Sequence, residues 1–163
     1  MVDNSDNRIE RITLDEATVI ARSEDIEKER EVALRDLVDD NLFRPIRALD
    51  NGHHGPWDVK LAIIDGMLAL HLTDRAGGDA GTIGLGLARL KRVVRDYFAI
   101  CDSYYKALRR ASAQEIETID MARRAIHDRG TRQLLEALNG KVETDFETAR
   151  RLFTLICVLH IKA

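Results

Sequence analysis

The chain has 163 residues, 45% hydrophobic and 33% charged, with a formal net charge of −3. That composition excludes a disordered chain, and at this size about 70% of the unfolded surface is buried, enough for a core without disulfide staples. A sequence pI near 6.0 argues against a dedicated DNA-binding domain, and the longest apolar run, Leu152 to Ile161, is too short to span a bilayer.

Residues 1–7 are polar and predict a frayed tail without a secretory signal. Ile9, Ile12 and Leu14 suit an edge strand over 8–14. Thr13 to Glu16 also has the form of a capping box, so a helix start competes there. Ser23 fits an N-cap, with Glu24 and Asp25 in the first turn, where the helix dipole favours acids. The helix it opens runs to about Asn41, with Glu27, Glu29, Glu31, Arg35 and Asp36 on its wet side. Pro45 and Pro56 bracket the main loop.

Residues 57–64 and 67–73 flank Asp65-Gly66, the pair suited to a type I′ hairpin turn because both central positions need positive φ. In that register Ile63 faces Leu68, Leu61 faces Leu70 and Val59 faces Leu72. A glycine-rich turn at 75–80 precedes a third strand at 82–87. Leu87 to Ala111 then reads as a long central helix. Residues such as Leu90, Val94, Tyr97, Cys101, Tyr104 and Leu108 share an arc of about 160°.

Ser112 to Glu115 is a capping box opening a helix that should stop at Gly130. Thr131 to Leu138 reads as a separate short helix. A further box, Thr144 to Glu147, opens the last helix. Its second half is apolar nearly all round, so it either threads the core or completes it in a homodimer. The fold class is therefore α+β: a small antiparallel meander (hairpin 57–64/67–73, strand 82–87, with 8–14 as a further strand) packed against four or five helices in one domain over 1–163.

The stretches RDYFAICDSYYKALR (95–109), IDMARRAIHDRG (119–130) and TDFETARRLFTLICVLH (144–160) resemble those of a bacterial family catalogued as uncharacterised protein family 0262. ITLDEATVIARSEDIEKERE (12–31) is similar too. The resemblance implies a bacterial cytoplasmic protein and carries no catalytic residues. Two cysteines on apolar helical faces, Cys101 and Cys157, also fit a reducing compartment.

Several constellations fall short of a chemistry. GDAGTIGLGLARLKR (78–92) sets glycines before a helix start, where amides bind phosphate, yet it is neither GxGxxG nor a Walker sequence. Cys157 and His160, with Cys101, lack further metal ligands, and His53, His54 and His71 with Asp58 form a weak set. No metal and no cofactor are expected. His127-Asp128 with Tyr104 or Tyr105 forms an acid–base candidate. The competing reading is a helix-terminal histidine placed by the dipole.

The arginines carry the leading reading. Residues 1–80 hold ten Lys+Arg against eighteen Asp+Glu, and residues 81–163 hold fifteen against ten. Arg92, Arg95, Arg109, Arg110, Arg123, Arg124, Arg150 and Arg151 are the anion-binding candidates. Their guanidinium forks bind carboxylate and phosphate bidentately. The alternative is pairing with the acidic first half. The expected function is a non-catalytic regulatory or adaptor protein in the cytoplasm, binding an acidic protein or small anionic ligand, with no membrane partner. A small enzyme using His127 and Asp128 is the second reading. RNA binding through the basic face ranks last, since the aromatics lie on the buried side.

Overall fold

The computed structural model describes residues 6–15, 24–46 and 52–159. Their order is β1 (Ile9–Leu14), α1 (Glu24–Asp39), β2 (Phe43–Pro45), β3 (Trp57–Ile64), β4 (Met67–Thr73), β5 (Asp79–Gly86), α2 (Leu90–Arg110), α3 (Ala113–Leu138), β6 (Val142–Thr144) and α4 (Phe146–Leu159). This is an α+β fold with four helices among the described residues.

The hairpin follows its local chemistry. Asp65 and Gly66 take φ of 52° and 74°, and Val59, Leu61 and Ile63 face Leu72, Leu70 and Leu68. Five of these six side chains are buried and Ile63 is partly so, which fixes the register against a one-residue slip. The expected meander is antiparallel throughout, but the sheet is mixed. Its order is β1-β3-β4-β5, and β1 pairs parallel to β3. A helix lies between those two strands, so the chain re-enters the sheet in its original direction. A second sheet, β2 against β6, went unread because each strand has three residues. Asn7, expected in a frayed tail, is buried, and its carbonyl accepts from the Phe43 amide at 2.8 Å.

α2 is unbroken and buries Tyr97 and Cys101, with Tyr104 half-buried. Leu108 instead stands 49% exposed, and Ala107 takes the inner position. Ser112 caps α3, accepting from the Glu115 amide at 3.2 Å. At the start of α4 the cap is Asp145, whose Oδ1 accepts from the Thr148 amide at 2.8 Å; Thr144 belongs to β6. Ser23 and His160 lie outside the described residues.

The largest correction concerns Gly130. The helix does not stop there: α3 runs continuously from Ala113 to Leu138. A Cβ at Gly130 would stand 2.2 Å from the Phe153 ring of α4, so the glycine provides close approach between helices rather than a break. α4 in turn packs against α1, α3 and β3. Its apolar residues, Leu152 to Leu159, are covered within the single chain apart from half-buried Thr154, so no second copy is needed to bury them. Asn41 ties α1 to the sheet: Oδ1 accepts from the Ile9 amide at 2.7 Å, and Nδ2 donates to the Ile9 and Leu37 carbonyls. Among the described residues no helix is long and apolar enough to cross a membrane.

Gly130→Ala tests the helix contact. Propensity alone would stabilise the helix by about 1 kcal/mol. The Phe153 ring cannot retreat, because it is fully buried against Tyr97 and His127. Urea denaturation should therefore find the variant less stable by about 1–3 kcal/mol, with part of the loss recovered by adding Phe153→Leu. A more stable Gly130→Ala protein would contradict the packing.

Candidate functional site

Four helices enclose a cleft of about 530 Å³. α1 presents one stripe at helical spacing: Asp25, Lys28, Glu29, Val32, Ala33 and Asp36. α2 supplies Tyr97 and Tyr105. α3 supplies Arg123, Arg124, His127 and Asp128, and α4 supplies Arg150, Arg151 and Thr154. The adjacent-pair spacing of the arginines, repeated on two helices, places all four along the same opening. The Gly130–Phe153 approach lies one turn below His127 and sets the distance between those helices.

His127 sits in the wall of this cleft, buried mid-helix. It does not occupy the helix terminus where a dipole would favour its charge. Its ring packs edge-on between Tyr97 and Phe153, with centroids 5.0 and 5.1 Å away. Nε2 lies 2.8 Å from Thr154 Oγ1. Burial, reinforced by the nearby Arg150 charge, lowers its pKa to about 4, so the imidazole is neutral at pH 7. Among the described residues no carboxylate bonds its ring; Asp128 lines the cleft but makes no hydrogen bond to it. Burial also raises the Tyr97 and Tyr105 phenols well above their ordinary range, so both stay protonated.

The arginines divide by role. Arg151 Nη1 donates to the Asp36 and Asp40 carbonyls at 3.2 and 2.9 Å, satisfying the last turn of α1. Arg123 donates through Nε and Nη2 to Asp120 Oδ1 at 3.0 and 2.7 Å, and its guanidinium lies 4.6 Å over the Tyr104 ring. It also approaches Glu29 at 3.7 Å, and Glu29 accepts from the Tyr105 hydroxyl at 2.7 Å. Burial works against the Arg123 charge, yet the bonds to Asp120 prevail and hold it more firmly protonated. Arg124 reaches Asp120 at 3.1 Å but keeps 64% of its side chain exposed. Arg150 donates to Glu147 at 3.1 and 2.9 Å and is 42% exposed.

The other four candidates lie outside the cleft lining. Arg92, Arg95, Arg109 and Arg110 are exposed on α2, and Arg109 approaches Asp25 at 3.7 Å. Tyr104 is half-buried beneath Arg123 and does not line the opening. Glu29, Tyr97 and Thr154 were not read as site residues. The signal was present in the 25, 28, 29, 32, 33, 36 spacing of α1, but an acidic helical stripe ordinarily reads as a solvated face.

Of the members of the other candidate sets, His160 lies outside the described residues. Among the described residues no three His, Cys, Asp or Glu side chains group to hold a metal. His53 Nε2 lies 2.9 Å from the Pro56 carbonyl, and His71 Nδ1 lies 2.9 Å from Thr82 Oγ1. Burial lifts the Cys101 thiol to about 12 and Cys157 well above its usual value, so neither supplies a thiolate. Of the amides that open α2, those of Leu90 and Lys91 donate to the Leu87 carbonyl at 2.9 and 3.0 Å and so are not presented to a phosphate.

The model of an "Uncharacterised protein family (UPF0262)" matches residues 6–162. The chain is similar to a UPF0262 protein of Novosphingobium aromaticivorans, 57% identical over 96% of this chain and 98% of the relative. It is 56% identical to one from Erythrobacter litoralis, over 96% and 98%. It is 47% identical to one from Caulobacter vibrioides, over 96% and 94%. No solved structure matches.

The buried neutral His127 generates a pH dependence. Its folded pKa of about 4 lies below the ordinary 6.5. Its contribution is therefore complete above about pH 6.5 and is lost as pH falls toward 4. Between about pH 7.5 and 5.0, urea denaturation should show wild type losing about 1–2 kcal/mol more stability than His127→Gln. Parallel losses in the two proteins would place His127 in solvent.

Proposed function

The chain belongs to the uncharacterised protein family UPF0262, and we propose from its cleft that it is a non-catalytic regulatory protein binding a small ligand through an acidic group. The observation that carries this reading is the convergence of Arg123, Arg124, Arg150 and Arg151 on one concave opening. A cleft of about 530 Å³ is of small-molecule size, which favours a small ligand over an acidic protein surface. Arg124 and Arg150 offer partly exposed forks to a carboxylate or phosphate. Arg123 and Arg151 are held in place by Asp120 and by the end of α1. Tyr97, Tyr105, Val32 and Ala33 supply surface for an apolar body. Two buried free thiols fit a cytoplasmic setting.

One observation favours the enzyme reading as a second choice: neutral His127 shares this cleft, beside the Thr154 hydroxyl. A histidine base activating a hydroxyl needs a third group to orient its ring. Among the described residues Asp128 does not supply that bond, which leaves binding ahead of catalysis.

Amide chemical shifts should follow titration with inorganic phosphate and with short carboxylates. The expected shifts saturate and localise to residues 121–130 and 148–156. Replacing Arg124 and Arg150 together with Gln should weaken binding at least about tenfold, the loss of one good charged contact. Replacing Arg92 and Arg95 should change nothing. Shifts confined to the outer face of α2 would overturn the proposal.

A further inference from the structure

The charges around the cleft are sorted by wall. On α1, Asp25, Glu29 and Asp36 stand against Lys28, a net −2. Across the opening, Arg123, Arg124, Arg150 and Arg151 stand against Asp128, a net +3. Asp120 and Glu147, just outside, hold Arg123, Arg124 and Arg150 and reduce that side to +1. The whole neighbourhood is then near neutral. A ligand carrying only negative charge gains little from such a site, because each approach to the arginines brings it toward the α1 carboxylates. A ligand with charges of both signs, laid across the opening, meets a complement on each wall.

We infer that the ligand is a zwitterion, an amino acid or amino-acid-like molecule whose acidic group meets Arg124 and Arg150 and whose ammonium meets the carboxylates of α1. The inference rests on the anion-binding reading above and adds the second half of the ligand. Asp36 is the α1 carboxylate best placed to serve it. Glu29 is engaged by Tyr105 and Arg123, and Asp25, with an arginine 3.7 Å away as Asp36 has, keeps less of its side chain exposed, 31%. Asp36 lies beside exposed Arg35 at 3.7 Å and keeps 43% of its side chain exposed. Its backbone carbonyl, not its carboxylate, accepts from Arg151, so the side chain can change without loosening α1 from α4. Val32, 45% exposed between the charged positions of the same stripe, gives an aliphatic or aromatic body its contact.

The experiment is calorimetry on the full chain with two matched sets of probes. One set is 6-aminohexanoate, hexanoate and hexylamine; the other is phenylalanine, 3-phenylpropionate and 2-phenylethylamine. In at least one set the zwitterion should bind at least about tenfold more tightly than either singly charged analogue, the gain from one added charge contact. Asp36→Asn should abolish that advantage without weakening the binding of the singly charged carboxylate, since it removes a like charge from the wall opposite the arginines. If in both sets the carboxylate binds as tightly as its zwitterion, the inference falls and the anion site stands. If the amine alone matches the zwitterion, or no probe binds at millimolar concentration, the anion reading falls with it.

Discussion

A single missing side chain sets the geometry of this protein. Gly130, in the middle of a 26-residue helix, leaves the space that the Phe153 ring fills. Most residues there would add helix propensity, and Ala would add the most. The glycine lowers local helix stability by about 1 kcal/mol, and the close approach of α3 and α4 offsets it. Phe153 is fully buried and touches Tyr97 and His127, so one contact joins α2, α3 and α4 into a common aromatic floor.

The cleft follows from that approach. With α3 and α4 close, two adjacent arginine pairs, 123–124 and 150–151, stand along one opening, and α1 closes the far side. Keeping four guanidinium groups near one another requires counter-charges, and the structure distributes them. Asp120 and Glu147 hold the α3 and α4 arginines, and the carbonyls ending α1 hold Arg151. The carboxylates on the wall opposite are what give the opening a direction, negative toward α1 and positive toward α3 and α4. His127 is kept neutral at its base, so the direction does not change across ordinary pH.

How much of this was legible depends on the range of the interaction. The hairpin was, because Asp65-Gly66 and the alternation beside it are local, and the observed pairs are those the alternation demands. The long helix was legible for the same reason, apart from the exchange of Leu108 for Ala107 at its inner face. The β2–β6 pair joins residues about a hundred positions apart through three-residue strands and leaves no periodic trace. Gly130 was misread because a glycine that breaks a helix and one that admits a neighbour look alike until the neighbour is known. The arginine pairs were visible as candidates. Their gathering was not, because half of the eight lie on the outer face of α2, and Glu29 and Thr154 join them only through tertiary packing.

The contact between Gly130 and Phe153 is tested most directly by a carbon-edited nuclear Overhauser spectrum of the native chain. Strong cross-peaks are expected between the Phe153 ring protons and the Gly130 α-protons, together with ring-current displacement of those α-protons. A spectrum in which the Phe153 ring has its close neighbours elsewhere, and Gly130 shows the shifts of a solvent-facing glycine, would contradict it.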